Sequence, residues 1–188
     1  MKNIPNVGFI CVGDTALELS GAICCAGKLM RIFKDSGYDV GGCYSCMCPS
    51  LQKSSLEEKL EHMCEINQLV VTVGGEGWRK SDVVPELTEK ICTKSAHYFS
   101  HLLSCAYASD KCDGTGALKA ESIDFTYSSR ATAGFCGQAL VLNLPSDPSY
   151  AVKRISSILP AVSFAVGAQS GFRPIKPENF MSKFGLGK

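Results

Sequence analysis

Residues 68–82 read QLVVTVGGEGWRKSD, and the change of character at Val73 decides the fold. The run 68–73 is β-branched and apolar, and it stops at Gly74-Gly75 as a buried strand does. Helical periodicity resumes at Val83 and is expected to run, with breaks, to about residue 106. Strand, glycine loop, helix is the unit to extend in both directions. Upstream, residues 7–12 (VGFICV) form a second short apolar run, bounded by Asn6 and by Gly13-Asp14. Ser20 then precedes Ile23, Ala26, Met30 and Phe33 at three- and four-residue steps, with Gly37 placed as a C′ residue. That pattern predicts an amphipathic helix of about four turns. A strand follows over 38–47, weakened by Gly41-Gly42. Ser55-x-x-Glu58 has the form of a capping box at the head of the next helix.

Downstream, 108–116 (ASDKCDGTG) is turn chemistry, and 139–144 is another apolar strand ended by Pro145. Asp147 is placed to N-cap the following helix with Pro148 in its first turn, and Pro160 is expected to end or kink it. From Phe172 the chain reads as an irregular arm over 172–188. Alternating strands and helices with short loops predict an α/β domain of three layers. Its sheet is mainly parallel, with helices on both faces. Ligands of such sheets bind beyond the carboxyl ends of the strands, which points to the loops after Val12, Met47, Val73 and Leu144.

The totals narrow the classes. A chain of 188 residues with 45% hydrophobic content reads as one globular domain over 1–188. A net charge of +1 is against a broad nucleic-acid footprint but leaves room for one small cationic cluster. No run approaches the ~18 uninterrupted apolar residues of a membrane span. The N-terminus reads as a strand rather than a signal peptide, so a cytoplasmic protein is expected. The eleven cysteines are an odd count in a chain with ample core, which favours reduced thiols over a disulfide framework. Cys43-x-x-Cys46-x-Cys48 has the spacing of half a metal site, but His62, His97 and His101 offer no complementary spacing, and no tightly bound metal is expected.

The glycine loop fits neither familiar nucleotide motif. A Walker A loop needs glycine where Arg79 stands, and the dinucleotide fingerprint needs it where Lys80 stands. The physics survives without the names. Gly74, Gly75 and Gly77 let backbone amides approach an anion, a helix N-terminus follows, and Arg79 and Lys80 can pair with phosphate. Asp82 has two readings: it N-caps the helix, or it holds a divalent cation or a reacting group. Trp78, the one tryptophan, covers a planar ligand or packs at a subunit contact.

TVGGEGWRKSDVVPE over 72–86 resembles the T-x-G-G-T-G-x-x-x-x-D-x-x-P-E signature of the MogA/MoaB and gephyrin G-domain family of molybdenum cofactor biosynthesis. SSRATAGFCGQALVLNLPSDP over 128–148 is similar to that family's S-R-x-x-x-G, strand and N-L-P-G-x-P. The matches are collinear and span about 5–165. The resemblance implies an α/β fold, a homotrimer, and binding of molybdopterin with its adenylylation by MgATP. It implies a catalytic, Mg²⁺-binding role for Asp82. Gly74, Gly75, Glu76, Gly77 and Ser81 would cradle substrate, with Asp14 and Ser50 beside them. Asn143, Leu144, Pro145 and Ser146 would form the far wall, and Arg130 or Ser129 would reach the ligand.

The departures from the pattern fall in the functional loops. Gly13-Asp14 replaces Ser-Asp, Cys24-Cys25 lies where an aspartate is expected, and Ser50 replaces the aspartate of Pro-Asp. Glu76 replaces the Thr of G-G-T-G, and Ser146 replaces the Gly of L-P-G. Glu76 either sets a negative charge against phosphate or supplies the lost carboxylate for Mg²⁺. Two main readings follow: an adenylyltransferase, or a degenerate member that holds pterin, nucleotide or a partner without turnover. A thiol-based metal or redox protein using Cys43, Cys46 and Cys48 is the third.

Overall fold

The computed structural model describes residues 4–105 and 130–170; the loop expected at 108–116, Ser129 and the arm at 172–188 lie outside the described residues. Along the chain run β1 (Asn6–Gly13), α1 (Ala16–Asp35), β2 (Asp39–Met47), α2 (Lys53–Ile66), β3 (Leu69–Val73) and α3 (Val84–Ile91). Then come β4 (Lys94–Ser95), α4 (His97–Cys105), β5 (Ala133–Cys136), β6 (Ala139–Leu144) and α5 (Pro148–Ser170). The six strands form one sheet in the order β2-β1-β3-β6-β5-β4. The pairs β1–β2, β1–β3 and β3–β6 are parallel, while β5–β6 and β4–β5 are antiparallel. The expected mainly parallel α/β fold is present, with an antiparallel edge added.

Alternation along the strands divides the core between two faces. Phe9, Cys11, Val71, Val73, Leu140 and Leu142 pack with α1, α4 and α5. Ile10, Val12, Val70 and Val141 pack with α2 and α3. The parallel register Cys11↔Val73 and Val73↔Leu144 brings the ends of β1, β3 and β6 level, so the loops that follow them share one edge.

Several helix boundaries differ from expectation, each for a local reason. Helix α1 starts at Ala16, not after Ser20, because Thr15 caps it: its Oγ1 accepts the Glu18 amide at 3.2 Å. Gly37 does serve as C′, with φ +87° and its amide on the Lys34 carbonyl at 3.0 Å. Ser55 does not open α2, which begins at Lys53 with no side-chain cap. The helix expected from Val83 to about 106 is interrupted: the Thr93 and Ala96 amides donate to Phe135 and Ala133, which recruits Lys94 and Ser95 into the sheet.

Pro160 sits inside α5 without ending it. Ile155, Leu159, Val162 and Val166 form one buried stripe on both sides of the proline and hold the two halves to the same core. By length and composition α5 could cross a membrane, but half of that stretch is buried within the domain.

Asp147 caps α5 as expected: Oδ1 accepts the amides of Ser149 at 2.8 Å and Tyr150 at 3.2 Å. The Ser149 hydroxyl, with these amides, holds the Asp147 carboxyl below the usual carboxylate range. Asp147→Ala is expected to lower stability by about 1 kcal/mol, measured by urea unfolding at pH 7. Because the folded pKa is depressed, the carboxylate's contribution is complete above the unfolded value of about 3.9. It is lost as pH falls through the lower folded value, so the gap between variant and wild type should close in strong acid.

Candidate functional site

At the shared edge the glycine loop leaves β3 by a turn that only glycine makes easily. Gly74 and Gly75 have φ of +91° and +70°, and a Cβ on Gly74 would lie 2.3 Å from the Val12 carbonyl oxygen. Below the loop is a cavity of about 90 Å³ lined by Gly13, Asp14, Glu18, Gly75, Arg79, Asp82 and Ser146 among others. That is room for about three waters, or for one phosphate-sized part of a larger ligand. Leu17, Leu51 and Trp78, next to or near lining residues in sequence, are large exposed apolar side chains.

The polar wall of the cavity is a network centred on Arg79. Its guanidinium reaches Glu18 Oε1 at 2.8 Å, Asp82 Oδ2 at 3.3 Å and Asp14 Oδ2 at 3.6 Å. The Arg79 amide also donates to Asp82 Oδ2 at 2.9 Å. Ser81 Oγ donates to the Asp14 carboxylate, and the Asp14 amide donates to Glu18 Oε2 at 2.9 Å. The Arg79 hydrogen bond, then that of the Asp14 amide, holds the Glu18 carboxyl below its ordinary range, and Arg79 is raised in turn.

Asp82 therefore does not cap α3, whose N-cap is Val83 with no side-chain bond. Its carboxylate, on a residue 5% exposed, folds back under the loop. Gly77 makes this possible, since a Cβ there would lie 2.6 Å from Asp82 Oδ2. Arg79, expected to pair with phosphate, pairs with three carboxylates, while its side chain stays 58% exposed at the lip of the cavity.

Other expected site residues are placed differently. Glu76 is 7% exposed and pairs with Arg154 of α5, itself 2% exposed, at 3.2 Å. The charge set against phosphate in the sequence thus lies in the interior with a counter-charge. Arg130 holds the loop rather than reaching into the cavity. Its Nε donates to the Gly77 carbonyl at 2.7 Å and its Nη2 to the Asp82 carbonyl at 2.6 Å, while Nη1 pairs with Glu86. The same guanidinium lies 5.5 Å from the Trp78 ring centroid.

Asn143 is fully buried beneath the edge, its amide nitrogen on Thr72 Oγ1 at 2.8 Å and Thr88 Oγ1 at 3.0 Å. The Pro145 carbonyl faces the Cys25 thiol at 3.7 Å. Ser146 lines the cavity; Ser50 is exposed, and its neighbour Pro49 takes the lining position. Glu18 is the site residue the sequence reading missed. Thr15-x-x-Glu18 has the capping-box spacing that would have flagged it.

The cysteine motif is drawn out along β2. Residues three apart in a strand face opposite sides, and Cys43 lies 3.7 Å from Cys11 while Cys46 packs toward the α2 face. The Cys11 thiol hydrogen bond lowers Cys43 to about 7. Among the described residues no group of three or more His, Cys, Asp and Glu is arranged to hold a metal ion.

A glycine-loop cavity at the carboxyl edge of a parallel sheet, walled by carboxylates around one guanidinium, defines an α/β protein with a small polar cavity where sheets of this class receive ligands. The chain belongs to the family described as "probable molybdopterin binding domain", whose family model matches residues 9–163. It is 32% identical over 117 residues to the molybdopterin adenylyltransferase of Helicobacter pylori strain ATCC 700392 / 26695. That match covers 61% of this chain and 60% of the relative, so the chain spans about three-fifths of the relative's length.

Solved structures share the fold. The molybdopterin biosynthesis enzyme MoaB of Thermus thermophilus superposes with TM-score 0.72 at 20% identity, over 92% of this chain and 100% of that one. The tungsten cofactor synthesizing protein MoaB of Pyrococcus furiosus gives TM-score 0.67 at 17% identity, over 89% and 98%. The chain is a MogA/MoaB-type member of the family.

Proposed function

We propose that the chain binds molybdopterin and transfers an adenylyl group to it from ATP. Family membership associates it with molybdenum cofactor biosynthesis, and the Helicobacter pylori relatives bear the name of that transferase. The observation that carries the reading is the cavity itself, where the glycine loop, Arg79 and Asp82 meet Asp14 at the end of β1 and Ser146 beyond β6. A terminal phosphate oxygen of the pterin attacks the α-phosphorus of ATP. A P–O bond forms as the bond to the β-phosphate breaks, and pyrophosphate leaves. Such a transfer asks for in-line placement and for cover of the phosphate charge. The loop amides and Arg79 supply that cover, and the planar part of the ligand lies against the exposed Trp78 of the same loop. In this reading the chain acts as a single domain, in a cytoplasmic homotrimer, with neither nucleic acid nor membrane as a partner.

The carboxylates of Asp14, Glu18 and Asp82 are oxygen donors of the kind a hard cation takes. Each lies within ion-pair distance of Arg79, no such group among the described residues is arranged to hold a metal ion, and the residues present do not fit a resident Mg²⁺. The same occupancy favours a second reading, a pterin carrier without turnover. One assay separates them: molybdopterin binding, followed by AMP transfer to the bound pterin from MgATP. Binding with stoichiometric pyrophosphate release is the expected result. Binding without release would establish the carrier, and no binding would remove both.

A further inference from the structure

Three carboxylates from two segments converge on a single side chain in the wall of the cavity. Asp14 and Glu18 come from the junction of β1 and α1, and Asp82 from the end of the glycine loop. Arg79 meets all three: Nη1 touches Glu18 and Asp14, Nε and Nη2 touch the two oxygens of Asp82 at 3.3 and 3.4 Å, and the Arg79 amide adds a fifth contact. Two of the acceptors have further donors, the Ser81 hydroxyl on Asp14 and the Asp14 amide on Glu18. The Arg79 side chain is 58% exposed, but it is held from several directions and anchored on the buried Asp82 carboxylate. The signature the chain resembles leaves position 79 unspecified, so the role of this arginine is read from its contacts alone.

We infer that Arg79 takes the place of a protein-bound divalent cation in this site, holding the three carboxylates apart in an arrangement that does not suit one. A guanidinium spreads one positive charge over a planar fork and satisfies carboxylate oxygens at hydrogen-bond distance. Mg²⁺ demands oxygens at about 2.0–2.1 Å in near-octahedral array. The two cannot share the same carboxylates: the cation's closer coordination would draw the oxygens inward and expel the guanidinium. With Arg79 in place the chain carries no metal of its own, and any divalent cation in the reaction arrives on the nucleotide. The inference deepens the adenylyl-transfer reading, yet it concerns the unliganded protein and is tested without pterin or ATP.

The test is equilibrium titration of the full chain with Mn²⁺, free cation being counted by its six-line EPR signal. Wild type is expected to bind Mn²⁺ at this site only weakly. Arg79→Ala leaves the carboxylates facing a cavity of about 90 Å³, and it should bind one Mn²⁺ at least about 10-fold more tightly. Adding Asp82→Asn to that variant should remove the gain, which assigns the ion to this site. Arg79→Gln is shorter but keeps the aliphatic stem and one amide donor group without the charge, and it should show the same gain should the alanine variant fold poorly. Tight Mn²⁺ binding by wild type that weakens in Asp14→Asn would overturn the inference. Failure of both Arg79 variants to gain a site would overturn it equally. Neither outcome bears on whether the chain binds molybdopterin, which the assay above reads separately.

Discussion

Arg154→Met is expected to destabilise the protein by about 3–5 kcal/mol, the range for removing one charge of a buried ion pair. Arg154 is among the largest fully buried side chains, and its Nη1 lies 3.2 Å from Glu76 Oε1. Methionine fills much of the arginine's volume, so the loss reports charge rather than a cavity. It takes the Arg154 counter-charge away from a carboxylate that is 7% exposed. At a urea m-value of about 2 kcal/mol/M the unfolding midpoint should fall by about 1.5–2.5 M. Adding Glu76→Thr, the residue the family signature carries there, removes the remaining buried charge. The double variant should recover most of the loss, with a coupling of about 2 kcal/mol or more. A replacement of Arg154 within about 0.5 kcal/mol of wild type would show that the pair contributes little. The pair also accounts for the tolerance of a glutamate in a glycine loop: its charge is turned into the interior and latched to α5.

Most of the fold was legible, because its central strands carry their own punctuation. β1, β3 and β6 are apolar runs ended by Gly13-Asp14, Gly74-Gly75 and Pro145, and each lies within a residue or two of its expected place. The cap at Asp147-Pro148 is local in sequence and was equally legible. β4 and β5 were not. They have two and four residues, and what makes them strands is pairing with each other and with β6. No local pattern reports such pairing. Pro160 does not end α5, because its cost is local whereas the stripe that holds the helix together across it is tertiary.

The site was legible as a place and illegible as a set of partners. The glycines mark the loop correctly, since positive φ and close approach leave glycine as the easy choice. Charge and spacing suggested Arg79 against phosphate, Asp82 as a cap or a cation-holding or reacting group, and Glu76 against phosphate or as a carboxylate for Mg²⁺. Which charge meets which depends on burial and on chain segments distant in sequence. Glu18 lies 61 residues from Arg79, and Arg154 lies 78 from Glu76. Gly77 adds a reason invisible to spacing: its missing Cβ is the space into which Asp82 folds.

On the adenylyl-transfer reading, Asp82→Asn should lower kcat for AMP transfer by about 100-fold or more, the scale for disabling one preorganised electrostatic group. Asp82 does not meet phosphate in this scheme. Its Oδ2 accepts both the amide and the Nε of Arg79, and so holds the guanidinium at the cavity lip where charge develops on the transferring phosphoryl group. Asparagine can still accept the Arg79 amide, so the loop should keep its shape. It offers no negative charge and one acceptor oxygen instead of two. The guanidinium is then left to Glu18, whose Oε1 is 2.8 Å from Nη1. A positioning role of this kind predicts a split in the constants: kcat falls while KM for the pterin stays within about 3-fold, because the glycine cradle is intact. Asp82→Ala, which also loses the acceptor for the Arg79 amide, should raise KM as well. A purely structural role would instead lower stability and disturb both constants together in Asp82→Asn. Wild-type kcat in that variant would remove Asp82, and with it the placement of Arg79, from the transfer.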